Sequence, residues 1–358
     1  MPFIGGGGVE KNLFIISDYL CKKFKNIKVC TLSKDKKNKF NKKIKFLEPK
    51  NNFSSQLNIR LKYLVCLFIL FKHLIRNKNS VVFSFQANIY CILICKILNI
   101  KIIVRSNSSP EGWYHNFFKK IIYKLIISKA DDVIVNSEIF KKQMKEKFDI
   151  NVKCIFNPLN FKEILKKSKS KNKKKFFKKH KNCLKLINLG RFTEQKDQIT
   201  ILKAAKILSK NINFQLLIFG RGVEEHKLKN FIYQNNLEKY VEIKNFTNNP
   251  YLAINESDVF ILSSKYEGLP NVLLEAAVLK KYIISTNCPT GPSEILLNGK
   301  GGLFFKIGDY NDLAKKIIYL VKNKNILKKK KEYLFKNLKK YDLNKNLNMY
   351  YLLIKKYI

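Results

Sequence analysis

The chain is poor in arginine, histidine and acid. Among its 358 residues, Arg occurs only as Arg60, Arg76, Arg105, Arg191 and Arg221, and His occurs four times. Asp and Glu total 26 against 71 Lys and Arg. The eight cysteines form no C-x-x-C pair and sit mostly in apolar runs, which argues against a thiol redox motif and for reduced, buried thiols. No D-x-D occurs, nor any His, Asp and Glu cluster at ligand spacing, so neither an essential metal nor a resident cofactor is expected. The longest apolar run, Tyr63 to Phe71, falls far below the roughly 18–20 residues that span a bilayer, and no signal-peptide pattern opens the chain. The expectation is a cytoplasmic protein, peripheral on the inner membrane face.

What is present in excess is lysine. A formal net charge of +45 would ordinarily suggest nucleic acid or a membrane surface. Here the lysines are dispersed over both halves, alongside abundant Asn, Ile, Phe and Tyr, as strongly AT-rich coding would give. Single-strand binding would instead interleave basic residues with stacking aromatics on one face. Where Lys is the default cation, a retained Arg marks a place that needs a planar fork of donors. Hydrophobic residues make up 46%, enough for two cores in a chain of this length.

Strand-like runs recur at 28–32, 80–85, 101–105 and 132–136, with helical runs at 9–24, 61–75, 87–98 and 113–128. A second alternating set follows, with strands at 184–189, 214–219, 241–243, 259–262, 282–285 and 302–304. Its helices fall at 198–209, 224–234, 271–279 and 310–323. Alternation of this kind argues for parallel sheets covered on both faces. The division expected is a first domain at 1–160, a Lys-rich linker at 161–182, a second domain at 183–335 and a helical tail at 336–358 packing back on the first. Ligand would sit at the strand carboxyl ends, in a cleft between the domains.

Four loops of the second half bear on the chemistry. Glu267-Gly268-Leu269-Pro270-Asn271-Val272 leads into a helix holding Glu275; a carboxylate can accept from two neighbouring sugar hydroxyls, and helix-start N–H groups favour an anion. Gly190-Arg191 to Lys196 supplies a guanidinium fork and an ammonium that can converge on one diphosphate, although a capped helix with surface charges reads equally well alone. Gly220-Arg221-Gly222 permits close backbone approach and is weak evidence by itself. The loop from Asn245 to Pro250, with Phe246 and Thr247, could pack against a base or be an ordinary connection.

With these elements in order, the chain resembles the family 4 glycosyltransferases, which have the two-domain GT-B fold and usually retain anomeric configuration. The E-x7-E element (Glu267, Glu275), the G-R-x4-K element (Arg191, Lys196) and the glycine loop Gly5, Gly6, Gly7 and Gly8 carry the likeness. It implies two Rossmann-like open parallel-sheet domains facing a central cleft. It also implies that Arg191 and Lys196 bind the donor diphosphate, that Glu275 holds the ribose and that Glu267 meets the donor sugar. Gly268 to Val272 would touch sugar and phosphate, Phe246 and Thr247 the base, and Gly5 to Gly8 the phosphates from the first domain. Many members have a His in a first-domain loop; here that loop reads Arg105-Ser106-Asn107, with Arg105 or Asn107 standing in, or His115 further on. A strand should precede the glycine loop, and only four residues do, so a missing start is expected.

The function implied is transfer of a hexosyl group from a nucleotide sugar, UDP-linked, to a glycan or lipid-linked acceptor in surface polysaccharide synthesis. A nucleotide-sugar epimerase on the same scaffold is the alternative, followed by a nucleic-acid-binding protein. An anionic membrane surface is a further expected partner, met by the basic first-domain helices.

Overall fold

The computed structural model describes residues 4, 7–49, 58–107, 117–169, 175–178, 182–247 and 249–358. It divides into two compact units, Met1–Pro158 with Leu343–Ile358 and Leu159–Asp342.

The first unit runs α1 (Gly8–Leu20), β1 (Lys28–Cys30), β2 (Lys45–Leu47), α2 (Ile59–Arg76), β3 (Val81–Ser84), α3 (Asn88–Ile97), β4 (Lys101–Arg105), α4 (Phe117–Ile127), β5 (Asp132–Val135), α5 (Glu138–Phe148) and β6 (Lys153–Cys154). A four-stranded parallel sheet has the order β3-β4-β5-β6, and β1 pairs in parallel with β2 separately. Among the described residues no strand precedes α1; Ile4 is buried and donates its N–H to Ser33 Oγ at 2.8 Å.

The second unit runs α6 (Phe161–Ser168), β7 (Leu184–Leu189), α7 (Gln198–Leu208), β8 (Phe214–Gly220), α8 (Glu225–Gln234), β9 (Val241–Asn245), α9 (Tyr251–Glu256), β10 (Val259–Leu262), α10 (Asn271–Val278), β11 (Tyr282–Thr286), α11 (Pro292–Ile295), β12 (Leu303–Phe305), α12 (Tyr310–Lys322) and α13 (Lys324–Lys336). The chain then returns to the first unit as α14 (Leu343–Lys355), whose Leu347, Tyr350 and Leu353 join α1 on one face of that unit's sheet.

The second sheet is parallel in the order β12-β11-β10-β7-β8-β9. Val259 to Leu262 are buried throughout, because a central parallel strand is covered on both faces; this is why such strands read as unbroken apolar runs. The chain moves outward from β7 to β9, then crosses back to β10 beside β7. The sheet order therefore reverses between β7 and β10, the topological switch point of the sheet.

Two boundaries differ from the sequence expectation. Residues 161–168 are not linker: α6 packs on α9 and α10, capped by Asn160, whose Oδ1 accepts from Glu163 N at 3.0 Å. Its lysines face outward while Ile164 and Ser168 are buried, so composition hid a two-residue seam. Phe177, within the same stretch, is buried as well. The tail also divides later than 336, since only Leu343 onward belongs to the first unit.

Candidate active site

The loops after β7 and β10 are stitched together. Lys265 N donates to Gln195 O at 2.8 Å, Gln195 Nε2 to Tyr266 O at 2.9 Å and Ser263 Oγ to Lys196 O at 2.7 Å. On this frame Lys196 Nζ forms an ion pair with Glu267 Oε1, and the Ser264 hydroxyl donates to the same oxygen at 2.6 Å. Lys196 and Glu267 are mostly shielded, at 16% and 8% side-chain exposure, so their attraction is less screened than that of a surface pair. The two are 71 residues apart in sequence and meet only because β7 and β10 are neighbours.

Arg191 belongs to the same β7 loop and is exposed, its guanidinium without a hydrogen-bond or ion-pair partner among the described residues. Its backbone is fixed, since its carbonyl accepts from Gln198 Nε2 at 3.1 Å. The Lys196–Glu267 pair is close to neutral, and the Arg191 guanidinium has no paired carboxylate among the described residues. A cation of this kind 4 Å from an anion contributes about 4 kcal/mol of Coulomb attraction at an effective dielectric of 20, before desolvation.

Two glycines hold the loops at this spacing. A Cβ on Gly220 would lie 2.0 Å from Gly190 O, which keeps the β7 and β8 loops in contact beyond their strands. Gly291 has φ +31, and a Cβ there would lie 2.1 Å from Gly268 O, the residue after Glu267. Gly291→Ala should therefore push the Glu267 loop aside and destabilise the protein by about 1–3 kcal/mol. An unchanged unfolding midpoint in urea would contradict this.

Glu267 is held from behind as well. The Thr290 hydroxyl donates to Glu267 O at 2.5 Å, and the Thr286 hydroxyl to Ser264 O at 2.7 Å. Burial, with the Glu267 carboxylate nearby, pushes the Cys288 thiol up to about 12, so it stays protonated and unreactive. Glu275 lies within α10 and is 4% exposed; Tyr251 Oη donates to its Oε1 at 3.4 Å. Pro270 caps α10 in an extended conformation, so Gly268, Leu269 and Pro270 form the loop while Asn271 and Val272 open the helix. Arg221, after β8, places its guanidinium 5.6 Å from the ring centre of Phe246, which is half exposed after β9. Thr247 Oγ1 accepts from Asn249 N at 3.2 Å.

Asp197 precedes α7 in the left-handed region, at φ 47. Burial pushes its carboxyl pKa above the ordinary 3.8, against the Thr200 hydroxyl that donates to Oδ2 at 2.7 Å. A carboxyl raised on folding contributes fully below 3.8, and that contribution is lost as the pH climbs through the raised value. Asp197→Asn keeps an acceptor for Thr200 and tolerates the left-handed backbone. It should raise Tm at neutral pH, with the gain shrinking toward pH 4. A calorimetric scan showing an equal gain at both pH values would contradict the assignment.

In the first unit, Gly7 precedes α1 and Gly8 begins it, while Gly5, Gly6 and His115 lie outside the described residues. Arg105 is a buried residue of the first unit. Its guanidinium is fully buried, donating from Nε to Tyr350 Oη at 2.9 Å, from Nη2 to Asn157 Oδ1 at 2.5 Å, and from Nη1 to Asn107 Oδ1. It ties α14 to the end of β4, with these three bonds inside the first unit. Asn107 is half-buried, engaged with Arg105 and with Phe85 O at 2.9 Å.

The structure thus joins Lys196 with Glu267, Arg221 with Phe246 and Arg105 with Asn107. Ser264, Thr290 and Tyr251 were missed. Ser264 had a signal, since a hydroxyl three residues before a carboxylate is the spacing of a reciprocal cap.

A cation–carboxylate pair, and an arginine whose guanidinium has no partner among the described residues, stand above the reversal point of a parallel sheet, the place where open α/β folds take ligands. Residues 168–341 match the model of glycosyl transferases group 1. An uncharacterized glycosyltransferase of Methanocaldococcus jannaschii is 33% identical over 206 residues; the match covers 55% of this chain and 51% of that protein, about half its length. The N-acetylgalactosamine-N,N'-diacetylbacillosaminyl-diphospho-undecaprenol 4-alpha-N-acetylgalactosaminyltransferase of Campylobacter jejuni is 26% identical over 270 residues, 71% of each chain. The crystal structure of Anabaena HepE in complex with UDP is 13% identical, with a TM-score of 0.76 over 99% of this chain and 98% of that one. The fold is GT-B, α/β with parallel sheets in two Rossmann-like domains.

Proposed function

We propose that this chain is a retaining hexosyltransferase of the family 4 type. It would move a sugar from a nucleoside-diphosphate donor, UDP-linked, to a glycan or lipid-linked acceptor in surface polysaccharide synthesis. The observation that carries the proposal is the Lys196–Glu267 pair above the β7–β10 reversal, with Arg191 in the same loop, its guanidinium without a partner among the described residues. The UDP in HepE and the undecaprenol-linked acceptor in the name of the Campylobacter relative support the donor and acceptor classes.

In this reading Arg191 engages the diphosphate as a fork, and Lys196, anchored by Glu267, presents its remaining N–H donors to the same group. As the bond to the sugar breaks, negative charge grows on the leaving phosphate. Cations already fixed in place stabilise that charge without reorganising. Glu267, held by Ser264 and Thr290, keeps Lys196 oriented and offers its second oxygen to the sugar. Glu275 accepts from the ribose hydroxyls, and the Arg221–Phe246 stack borders the base. The proposal uses no resident metal or cofactor.

Incubation with UDP-sugars and a lipid-linked or glycan acceptor tests it. Acceptor-dependent release of UDP, with an α-linked product from an α-linked donor by NMR, is the expected result. Conversion of the donor sugar without acceptor would favour the epimerase reading, which the named relatives do not. Salt-sensitive oligonucleotide binding without UDP release would favour the nucleic-acid reading.

A further inference from the structure

The first unit carries an apolar surface that the proposed reaction does not use. Helices α2, α3 and α4 lie on one face of the sheet: Leu74, Ile92 and Ile127 pack inward with Ile102 and Val104 of β4, while α1 and α14 cover the other face. Each of the three helices also has an outward apolar stripe. On α2 the stripe is Leu61, Leu64, Phe68 and Ile75, and on α3 it is Tyr90, Leu93 and Ile97. On α4 it is Phe118, Ile121, Ile122 and Leu125, at i, i+3, i+4 and i+7. Phe118 is 73% exposed and Ile97 78%. Scattered exposed apolar residues are ordinary; three stripes on neighbouring helices of one layer are not. A helix apolar on both faces has a second apolar environment to meet.

Charge selects that environment. None of the three helices contains Asp or Glu. Exposed cations flank the stripes at Arg60, Lys72, Arg76, Lys119 and Lys124, and Lys96 pairs with Asp131 at 2.9 Å. Long cationic side chains beside apolar residues suit an anionic bilayer, where the stems follow the acyl boundary and the heads reach the phosphates. No helix is long and apolar enough to cross a membrane among the described residues. We propose that the α2–α3–α4 face docks on an anionic phospholipid bilayer by shallow insertion of these stripes. The inference stands on this surface and not on the sugar-transfer reading.

Flotation of the full chain with vesicles of mixed phosphatidylglycerol and phosphatidylcholine, and with phosphatidylcholine alone, tests it. The wild type should float with the anionic vesicles and much less with the neutral ones. Phe118→Gln with Ile122→Gln, which keeps helix formers at exposed positions, should weaken vesicle binding about tenfold or more. Lys119→Glu with Lys124→Glu should remove the preference for anionic lipid. Both variants should keep the wild-type Tm and UDP binding, which separates a docking defect from misfolding and from failure of the donor reading. Absent flotation, or flotation unchanged in the Gln variant, overturns the proposal. So does a concentration-dependent dimer in sedimentation that the Gln variant makes monomeric, which would assign the face to a second copy of the chain.

Discussion

Lys196→Met should lower turnover about a hundred- to a thousandfold, the range for losing one preorganised donor to a developing anion. It should also destabilise the protein, because Glu267 would remain shielded with only the Ser264 hydroxyl on its charged oxygen. Removing one member of a buried pair costs about 3–5 kcal/mol. The residual 16% exposure of Lys196 and the surviving Ser264 bond place this case near 3 kcal/mol, or roughly 6–12 °C in Tm. Adding Glu267→Gln to Lys196→Met removes the stranded charge. The double variant should recover most of the Tm and none of the turnover. Recovery of both would mean that the pair only props the loop. A single variant with normal turnover would remove Lys196 from the chemistry.

Glu275→Gln should raise the dissociation constant for UDP about ten- to a hundredfold while leaving the fold intact. Hydrogen bonds to a charged group contribute about 1.5–3 kcal/mol each, and each 1.4 kcal/mol is tenfold in affinity. Gln keeps the shape and one acceptor, so Tyr251 retains a partner for its hydroxyl. Tyr251→Phe separates positioning from contact: it should change affinity less than Glu275→Gln does, since it leaves the carboxylate in place and takes away a hydroxyl that donates to Oε1 at 3.4 Å. Equal losses in the two variants would point to α10 moving as a whole, and unchanged affinity in Glu275→Gln would place the ribose elsewhere. Wild-type and variant titrations by calorimetry, with thermal unfolding alongside, provide the comparison.

Much of the second unit was legible because its strands are buried on both faces, so β7, β8 and β10 read as apolar runs with polar loops at their ends. The loops holding Arg191, Lys196, Glu267 and Glu275 followed from those endings. That Lys196 meets Glu267 did not follow, because it depends on β10 crossing back beside β7, a non-local pairing without a local pattern. The burial of Arg105 was not legible for a related reason. A charged residue at a strand end is expected to face a ligand, and its partner Tyr350 lies 245 residues away on a helix that returns late to the first unit. The seam of α6 was hidden by lysines that make the segment look like a linker. The outward stripes on α2 to α4 were present as apolar runs, but a helix apolar all round looks like a buried helix until its neighbours are known.

Calorimetric titration of UDP into the wild type, Arg191→Ala and Glu275→Gln tests the central claim most directly, with Lys229→Ala on the outer surface of α8 as the control. The account predicts one saturable site per chain, weakened about tenfold or more in both site variants and unchanged in the control, with all four proteins equally folded. Equal affinity across the four, or no binding by the wild type, would contradict it.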